Sequence, residues 1–399
     1  MSLHETVSAE RLHIGFFGLR NAGKSSLVNA VTGQQLAVVS DVKGTTTDPV
    51  RKAMELLPLG PVVIIDTPGL DDEGELGAQR VKKARQVLAQ TDVAVLVADA
   101  RAGLGAQEQE LLALFKEKQL PYLVAYNKAD LLAERGALEG EALYVSAKTG
   151  EGVPQLKERL GALAQGQGQP KHIAADLLPP GGLAALVIPI DESAPKGRLI
   201  LPQQLVMRDL LDAGLAFAAC QPEELPALLK GLSQPPALVI TDSQAFGRVA
   251  RDVPASVPLT SFSILMARYK GGLQALVQGA AKLKGLQTGD RVLISEGCTH
   301  HRQCKDIGTV KLPGWIEGFC GAKPQFTFTS GGDFPEDLSL YSLIVHCGGC
   351  MLNEKEMRHR MARAAEAGVP MVNYGIAIAQ MHGILWRSLA PFPGMQGML

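Results

Sequence analysis

Residues Gly18 to Ser25 read G-L-R-N-A-G-K-S. They follow the apolar run Leu12–Phe17 and open the helix-forming stretch Ser25–Val31. A glycine-rich loop between a strand and a helix wraps phosphates with backbone N–H groups, and the helix N-terminus adds positive dipole. Phosphate contacts are expected from Gly18 and from Asn21, Ala22, Gly23, Lys24, Ser25 and Ser26. Lys24 suits the β- and γ-phosphates, and the Ser25 hydroxyl suits Mg2+.

Outward from the loop, apolar runs alternate with helical patterns. Strands are expected at Leu12–Phe17, Val62–Asp66, Val93–Ala98, Tyr122–Tyr126 and Ala142–Val145, with helices at Ser25–Val31, Ala78–Gln90 and Gln107–Lys118. Short, continuously apolar strands separated by helices predict a mostly parallel sheet covered on both faces. Gln165–Pro170 reads Q-G-Q-G-Q-P, a polar, glycine-rich linker. Beyond it, strands at Ala184–Ile190, Ala216–Ala219 and Ala237–Thr241 alternate with helices at Pro202–Ala213, Pro222–Lys230 and Ser243–Ala250. A third segment has helices at Ser263–Tyr269, Leu273–Ala281 and Glu354–Ala367, and strands at Arg291–Ser295, Gln325–Thr327, Ser342–Val345 and Pro370–Val372. The fold class is therefore α/β: a P-loop domain over 1–168, then two further α/β domains with mostly parallel sheets over 169–262 and 263–399.

Three further motifs complete the expected nucleotide site. Val62–Gly69 reads V-V-I-I-D-T-P-G, which puts Asp66 at a strand end as a partner for Mg2+ and the Gly69 amide near the γ-phosphate. Asn127–Asp130 reads N-K-A-D at another strand end. The Asp130 carboxylate can accept two hydrogen bonds from guanine N1–H and its amino group, which adenine cannot supply together. Lys128 can cover the base with its stem. Ser146-Ala147-Lys148 offers the Ala147 amide to guanine O6. GTP is the expected nucleotide.

These ordered motifs resemble the Era and TrmE-like branch of GTPases. That branch carries a G-T-T segment, here Gly44-Thr45-Thr46. The resemblance implies Thr46 as the second Mg2+ ligand on a switch loop, with Thr45 beside it. Lys24, Thr46, Asp66 and Gly69 are thus the expected catalytic set. Leu70 stands where Ras-like proteins have a water-orienting glutamine, so hydrolysis is expected to be slow. Asn21 stands where potassium-activated relatives ligate K+, which would offset developing negative charge.

The chain has 399 residues and a net charge of −1, so bulk charge favours neither nucleic acid nor an anionic surface. No apolar run reaches the ~18–20 residues that cross a bilayer, and residues 1–11 lack a secretory pattern. A cytoplasmic protein is expected, with cysteines that are metal ligands or core residues rather than disulfides.

Five of the six cysteines lie after residue 297. Cys298-Thr299-His300 follows one expected strand, and His346-Cys347-Gly348-Gly349-Cys350 follows another. Strand C-terminal ends line the ligand crevice of an open α/β sheet. If the two strands are parallel neighbours, three thiolates and two imidazoles converge. Soft thiolates select iron–sulfur clusters or zinc.

This constellation resembles the C-terminal signature of the FeFe-hydrogenase maturation GTPase family, HydF. The resemblance implies a dimerisation domain in the middle segment and a 4Fe–4S cluster domain in the last. It implies a scaffold or carrier that receives a diiron precursor from radical-SAM maturases and delivers it to apo FeFe-hydrogenase, as a homodimer. Cys298, Cys347 and Cys350 are the matching thiolates. The fourth ligand stays open among His300, His346, Cys304 and Asp306. Cys304 has no counterpart in the family motif, His301 is expected at the surface or behind the ligands, and Cys220 and Cys320 are expected in the core. Two other readings compete: an RNA-linked GTPase of tRNA modification or ribosome assembly, and a zinc-stabilised regulatory GTPase.

Overall fold

A computed structural model describes residues 10–33, 49–67, 86–138, 140–165, 171–190, 199–297 and 307–395. The chain divides into two compact units, Met1–Gln169 and Pro170–Leu399.

The first unit holds one six-stranded sheet. Its strands are β1 (Leu12–Phe17), β2 (Val50–Leu56), β3 (Gly60–Asp66), β4 (Val93–Asp99), β5 (Tyr122–Asn127) and β6 (Ala142–Tyr144). The order is β2-β3-β1-β4-β5-β6, with every pairing parallel except β2 with β3. Two apolar clusters pack on its opposite faces, one around Ile14, Leu27 and Val95, the other around Phe17, Leu96 and Phe115. That is why the central strands are apolar at most positions. The helix Val153–Gln165 is an addition to the expected elements, and so is β2. The latter is an edge strand, V-R-K-A-M-E-L, whose side chains are mostly exposed, so no apolar run announces it. Of the expected helix Ala78–Gln90, residues 86–90 are helical and the rest lies outside the described residues.

The second unit holds two four-stranded, all-parallel sheets. One has the order β10-β9-β7-β8, from β7 (Leu183–Val187), β8 (Ala216–Cys220), β9 (Leu238–Thr241) and β10 (Leu259–Ser261). The other has the order β12-β11-β13-β14, from β11 (Arg291–Glu296), β12 (Gln325–Ser330), β13 (Leu343–His346) and β14 (Met371–Asn373). A single apolar core runs from Ile173 to Met395 and includes both sheets. No linker separates them because β10 passes directly into the helix Phe262–Tyr269, with the Ser261 hydroxyl capping it by accepting the Ile264 amide at 3.2 Å. The short β10 and the helices Leu312–Cys320, Tyr374–Met381 and Leu385–Leu389 are additions to the expected elements.

The helix Glu354–Glu366 positions the cysteine loop. Asn353 caps it by accepting the Glu356 amide at 3.0 Å, and Glu354 and Glu356 favour its N-terminal turn. Glu356, Arg360 and Ala364 recur every four residues and form the buried stripe with Met357. Arg360 is thereby driven fully into the core.

Candidate functional site

The phosphate loop sits between β1 and the helix Lys24–Thr32, as its sequence requires. Gly23 has φ +85°, and a Cβ there would stand 2.3 Å from Asn127 Nδ2, so the position admits only glycine. Asn127 is the hub of the site. Its side-chain amide donates to the carbonyls of Ala22 at 3.0 Å and Gly23 at 3.3 Å, and its oxygen accepts the Ala147 amide at 3.0 Å. One side chain at the end of β5 thus ties the phosphate loop to the S-A-K loop.

Lys128, with a left-handed backbone (φ 64°), donates from Nζ to the Asn21 carbonyl at 2.5 Å and to Asp99 at 2.8 Å. Asn21 is also left-handed (φ 61°), and its residue is exposed. Asp99 accepts two further bonds from the Arg101 guanidinium, at 3.0 and 2.7 Å. Hydrogen bonding from Arg101, and then Lys128, holds the Asp99 carboxyl well below the usual carboxylate range. Asp99 and Arg101 carry no motif of their own in the sequence, where D-A-R is an ordinary strand-end pattern.

Asp130 accepts the Ser146 hydroxyl at 2.6 Å, which fixes its carboxylate at the mouth expected for the base. Lys148 lies in the turn that follows. Lys24 is buried and donates to the Leu19 carbonyl at 2.7 Å. Ser25 donates to Asp66 Oδ2 at 2.6 Å. The other carboxylate oxygen of Asp66 is buried and has no hydrogen-bond partner among the described residues. Burial pushes the Asp66 carboxyl up, against the Ser25 hydrogen bond and the Lys24 charge. An orphaned buried carboxylate oxygen beside a hydroxyl fits a hard divalent cation such as Mg2+. Thr45, Thr46, Gly69 and Leu70 lie outside the described residues.

In the second unit, β11 and β13 are parallel neighbours, with Ser295 opposite His346. Both cysteine motifs therefore start from adjacent strand ends. The Gly297 amide, one residue before Cys298, donates to Cys347 Sγ at 3.0 Å. The Gly349 amide adds a second contact to that sulfur at 3.4 Å. Gly349 (φ +63°) has no room for a side chain, because a Cβ would sit 2.6 Å from Met357 Sδ. Lys270 donates to the Leu352 carbonyl at 2.8 Å, holding the far end of the loop. Burial raises the Cys350 thiol, with the Lys270 charge opposing it.

His346 is fully buried. Its Nδ1 lies 2.8 Å from the Cys347 carbonyl oxygen and its Nε2 3.1 Å from Arg360. Burial, then the Arg360 charge, pushes its imidazole down to about 3, so the ring is neutral. Arg360 also donates to Glu356 at 2.8 Å and to the Gly331 carbonyl at 2.8 Å. In sequence, Glu356 and Arg360 look like an ordinary helix-surface pair four residues apart, so nothing marked them.

Among the described residues, no three His, Cys, Asp or Glu side chains assemble as a metal site. Cys298, His300, His301, Cys304 and Asp306 lie outside those residues. The donor set near β13 nonetheless fits a soft metal group: two cysteines on a glycine loop, with backbone N–H groups turned to one sulfur. Cys220 and Cys320 pack against the core, and burial pushes the Cys220 thiol up to about 11. No described helix is long and apolar enough to cross a membrane.

Comparison with known proteins follows the same division. Residues 13–128 match the 50S ribosome-binding GTPase family. The tRNA modification GTPase MnmE of Xanthomonas euvesicatoria pv. vesicatoria is 39% identical over 158 residues, covering 39% of this chain and 35% of that protein. MnmE of Nitrosomonas eutropha is 34% identical over 153 residues, covering 37% of this chain and 34% of its own length. The match thus spans about a third of these relatives. A solved structure of an Aquifex aeolicus Era variant bound to GDP and AlF4− is 19% identical, covers 52% of this chain and 92% of that one, and has a TM-score of 0.36. Behind the GTPase domain, residues 173–271 match the hydrogen maturase F dimerization domain and residues 274–391 its tetramerization domain. With those two domains covering most of the chain after the GTPase domain, in which the paired cysteine loops begin and end, the chain belongs to the hydrogen maturase F family.

Proposed function

We propose that this protein is a GTP-hydrolysing scaffold of FeFe-hydrogenase maturation, which holds a 4Fe–4S cluster and carries a diiron precursor from radical-SAM maturases to apo-hydrogenase. The observation that carries it is the Gly297 amide at 3.0 Å from Cys347 Sγ, which brings the start of the Cys298 motif to the Cys347–Cys350 loop within a hydrogen maturase F domain. Cys298, Cys347 and Cys350 hold the cluster, leaving a fourth position exchangeable, as catalytic metal sites keep one open. When bound, the cluster supplies a redox-active anchor for the diiron cargo.

In the nucleotide site, Lys24 meets the β- and γ-phosphates, and Asp130 with the Ala147 amide selects guanine. Ser25 and Thr46 are the Mg2+ ligands, with Asp66 behind Ser25; the metal supplies charge to the phosphates. Asn21 takes K+, which compensates for the missing glutamine at Leu70 and speeds an otherwise slow hydrolysis. Hydrolysis acts as a switch on the loops that hold Thr46 and Gly69. The domain limits are 1–168, 169–262 and 263–399, and the chain works in the cytoplasm as a homodimer built through the middle domain, with the C-terminal domain joining dimers.

The test is anaerobic reconstitution with iron and sulfide. The wild type is expected to turn brown with about four irons per chain and to activate apo-hydrogenase. Replacement of Cys298, Cys347 and Cys350 together by serine abolishes both. A colourless protein holding zinc, or unchanged iron in the triple variant, overturns the scaffold reading. Replacing K+ by Na+ is expected to slow GTP hydrolysis in the wild type but not in Asn21→Ala.

A further inference from the structure

His346 stands at the end of β13 directly before Cys347, with its ring fully buried. A carbonyl oxygen only accepts and a guanidinium only donates. The tautomer is therefore fixed by its neighbours: Nδ1–H donates to the Cys347 carbonyl at 2.8 Å, and Nε2 accepts from Arg360 at 3.1 Å. Metal binding by neutral imidazole needs a lone pair, and the proton on Nδ1 and the Arg360 donor occupy both candidates.

Arg360 is itself committed on every side. It donates to Glu356 Oε1 and to the Gly331 carbonyl, both at 2.8 Å, and its guanidinium lies 5.0 Å from the Phe334 ring centroid. Turning His346 toward a metal would remove one of the partners of a fully buried guanidinium and set a cation near it. Such a group, desolvated and stripped of a partner, is strongly unfavourable.

We infer that His346 is a strut rather than an iron ligand, and that Arg360 is the positioning residue that sets the Cys347–Cys350 loop through it. The inference rests on the cluster reading above. Through His346, Arg360 fixes the Cys347 carbonyl, and that backbone orientation aims the Cys347 sulfur at the Gly297 and Gly349 amides. Lys270 secures the same loop at Leu352 from the opposite end. Partners behind a metal ligand commonly govern how firmly the metal is held.

Pulsed EPR of the reduced, reconstituted protein tests the first half. His346→Gln keeps an acceptor for Arg360, and it is expected to load the same iron and show the same nitrogen couplings as wild type. His300→Gln serves as the comparison. A strong imidazole nitrogen coupling in wild type that disappears in His346→Gln overturns the strut, as does complete loss of iron in that variant.

Arg360→Lys tests the second half, because it keeps the charge but loses the planar fork. With its fold confirmed by circular dichroism, it is expected to lose iron to a chelator about tenfold faster and to shift the cluster's midpoint potential. Unchanged release and potential overturn the positioning role. The His346 measurement stands whether or not Arg360→Lys folds. A wild-type chain that takes up no iron or sulfide sinks the cluster reading and this inference together, whereas a brown protein with a His346-dependent nitrogen signal sinks the inference alone.

Discussion

The phosphate loop and the cysteine loop solve one problem in two ways. Each follows a buried parallel strand and uses glycine to curl, and in the cysteine loop two backbone N–H groups turn toward the Cys347 sulfur. They differ in what clamps them. Asn127 and Lys128 hold the phosphate loop, and both belong to the N-K-A-D motif proposed to read the base. Arg360 and Lys270 hold the cysteine loop from positions with no motif at all. A loop that meets a free ligand can be clamped by residues that also touch the ligand. On the proposed function, the cysteine loop spends its own thiols on the cluster and is clamped from behind.

The largest effect that would sharpen this contrast is on stability. Arg360→Ala leaves Glu356 and the His346 acceptor buried without their partner. It is expected to destabilise the second unit by about 3–5 kcal/mol, the usual consequence of breaking a buried ion pair from one side. Denaturant unfolding checks the loss, and titration with a fluorescent GTP analogue should show nucleotide binding unchanged. A loss under about 1 kcal/mol would make Arg360 an ordinary helix residue and break the comparison.

Next in size is base recognition. Asp130→Asn keeps the shape of the group held by Ser146 but removes the charge that accepts from guanine. GTP affinity is expected to fall by about 100-fold. Xanthosine triphosphate, whose C2 carbonyl can accept from the new amide, should gain. Competition titrations measure both. Equal loss for the two nucleotides would mean that Asp130 shapes the loop rather than reads the base.

The smallest effect concerns a clamp in the second unit that is partly open to solvent. Arg268 meets the Asp176 carboxylate through both guanidinium termini, one at 2.9 Å, and holds that carboxyl below its ordinary value. A carboxyl lowered by folding stabilises at pH values above its unfolded pKa, about 3.9. That contribution is lost as pH falls through this value toward the lower folded one. Because Asp176 is 39% exposed, about 0.5–1 kcal/mol is expected. Unfolding free energies of wild type and Arg268→Gln should differ near neutral pH and converge in acid.

Much of the GTPase sheet was legible because its central strands are buried on both faces and read as mostly apolar runs, from Leu12–Phe17 to Tyr122–Asn127. β2 was not, because an edge strand with mostly exposed side chains carries no such signal. Adjacency of β11 and β13 is the condition on which the cysteine motifs converge, and only the sheet supplies it. No linker precedes residue 262, and the cause is the strand-to-helix junction at Ser261.

By itself the sequence determined the chemistry on offer: a phosphate loop, a carboxylate suited to guanine, and cysteines at a spacing that suits a soft metal. Local motifs suffice there because the groups that act are close along the chain. Tertiary structure alone decided what those groups lean on. Arg360 becomes a buried partner of His346 only because the helix Glu354–Glu366 turns its Glu356–Arg360–Ala364 stripe into the core. Gly297 reaches the Cys347 sulfur only because β11 and β13 lie side by side. Burial and strand adjacency are properties of the packed whole, and desolvation is what turns a common surface pair into a fixed one.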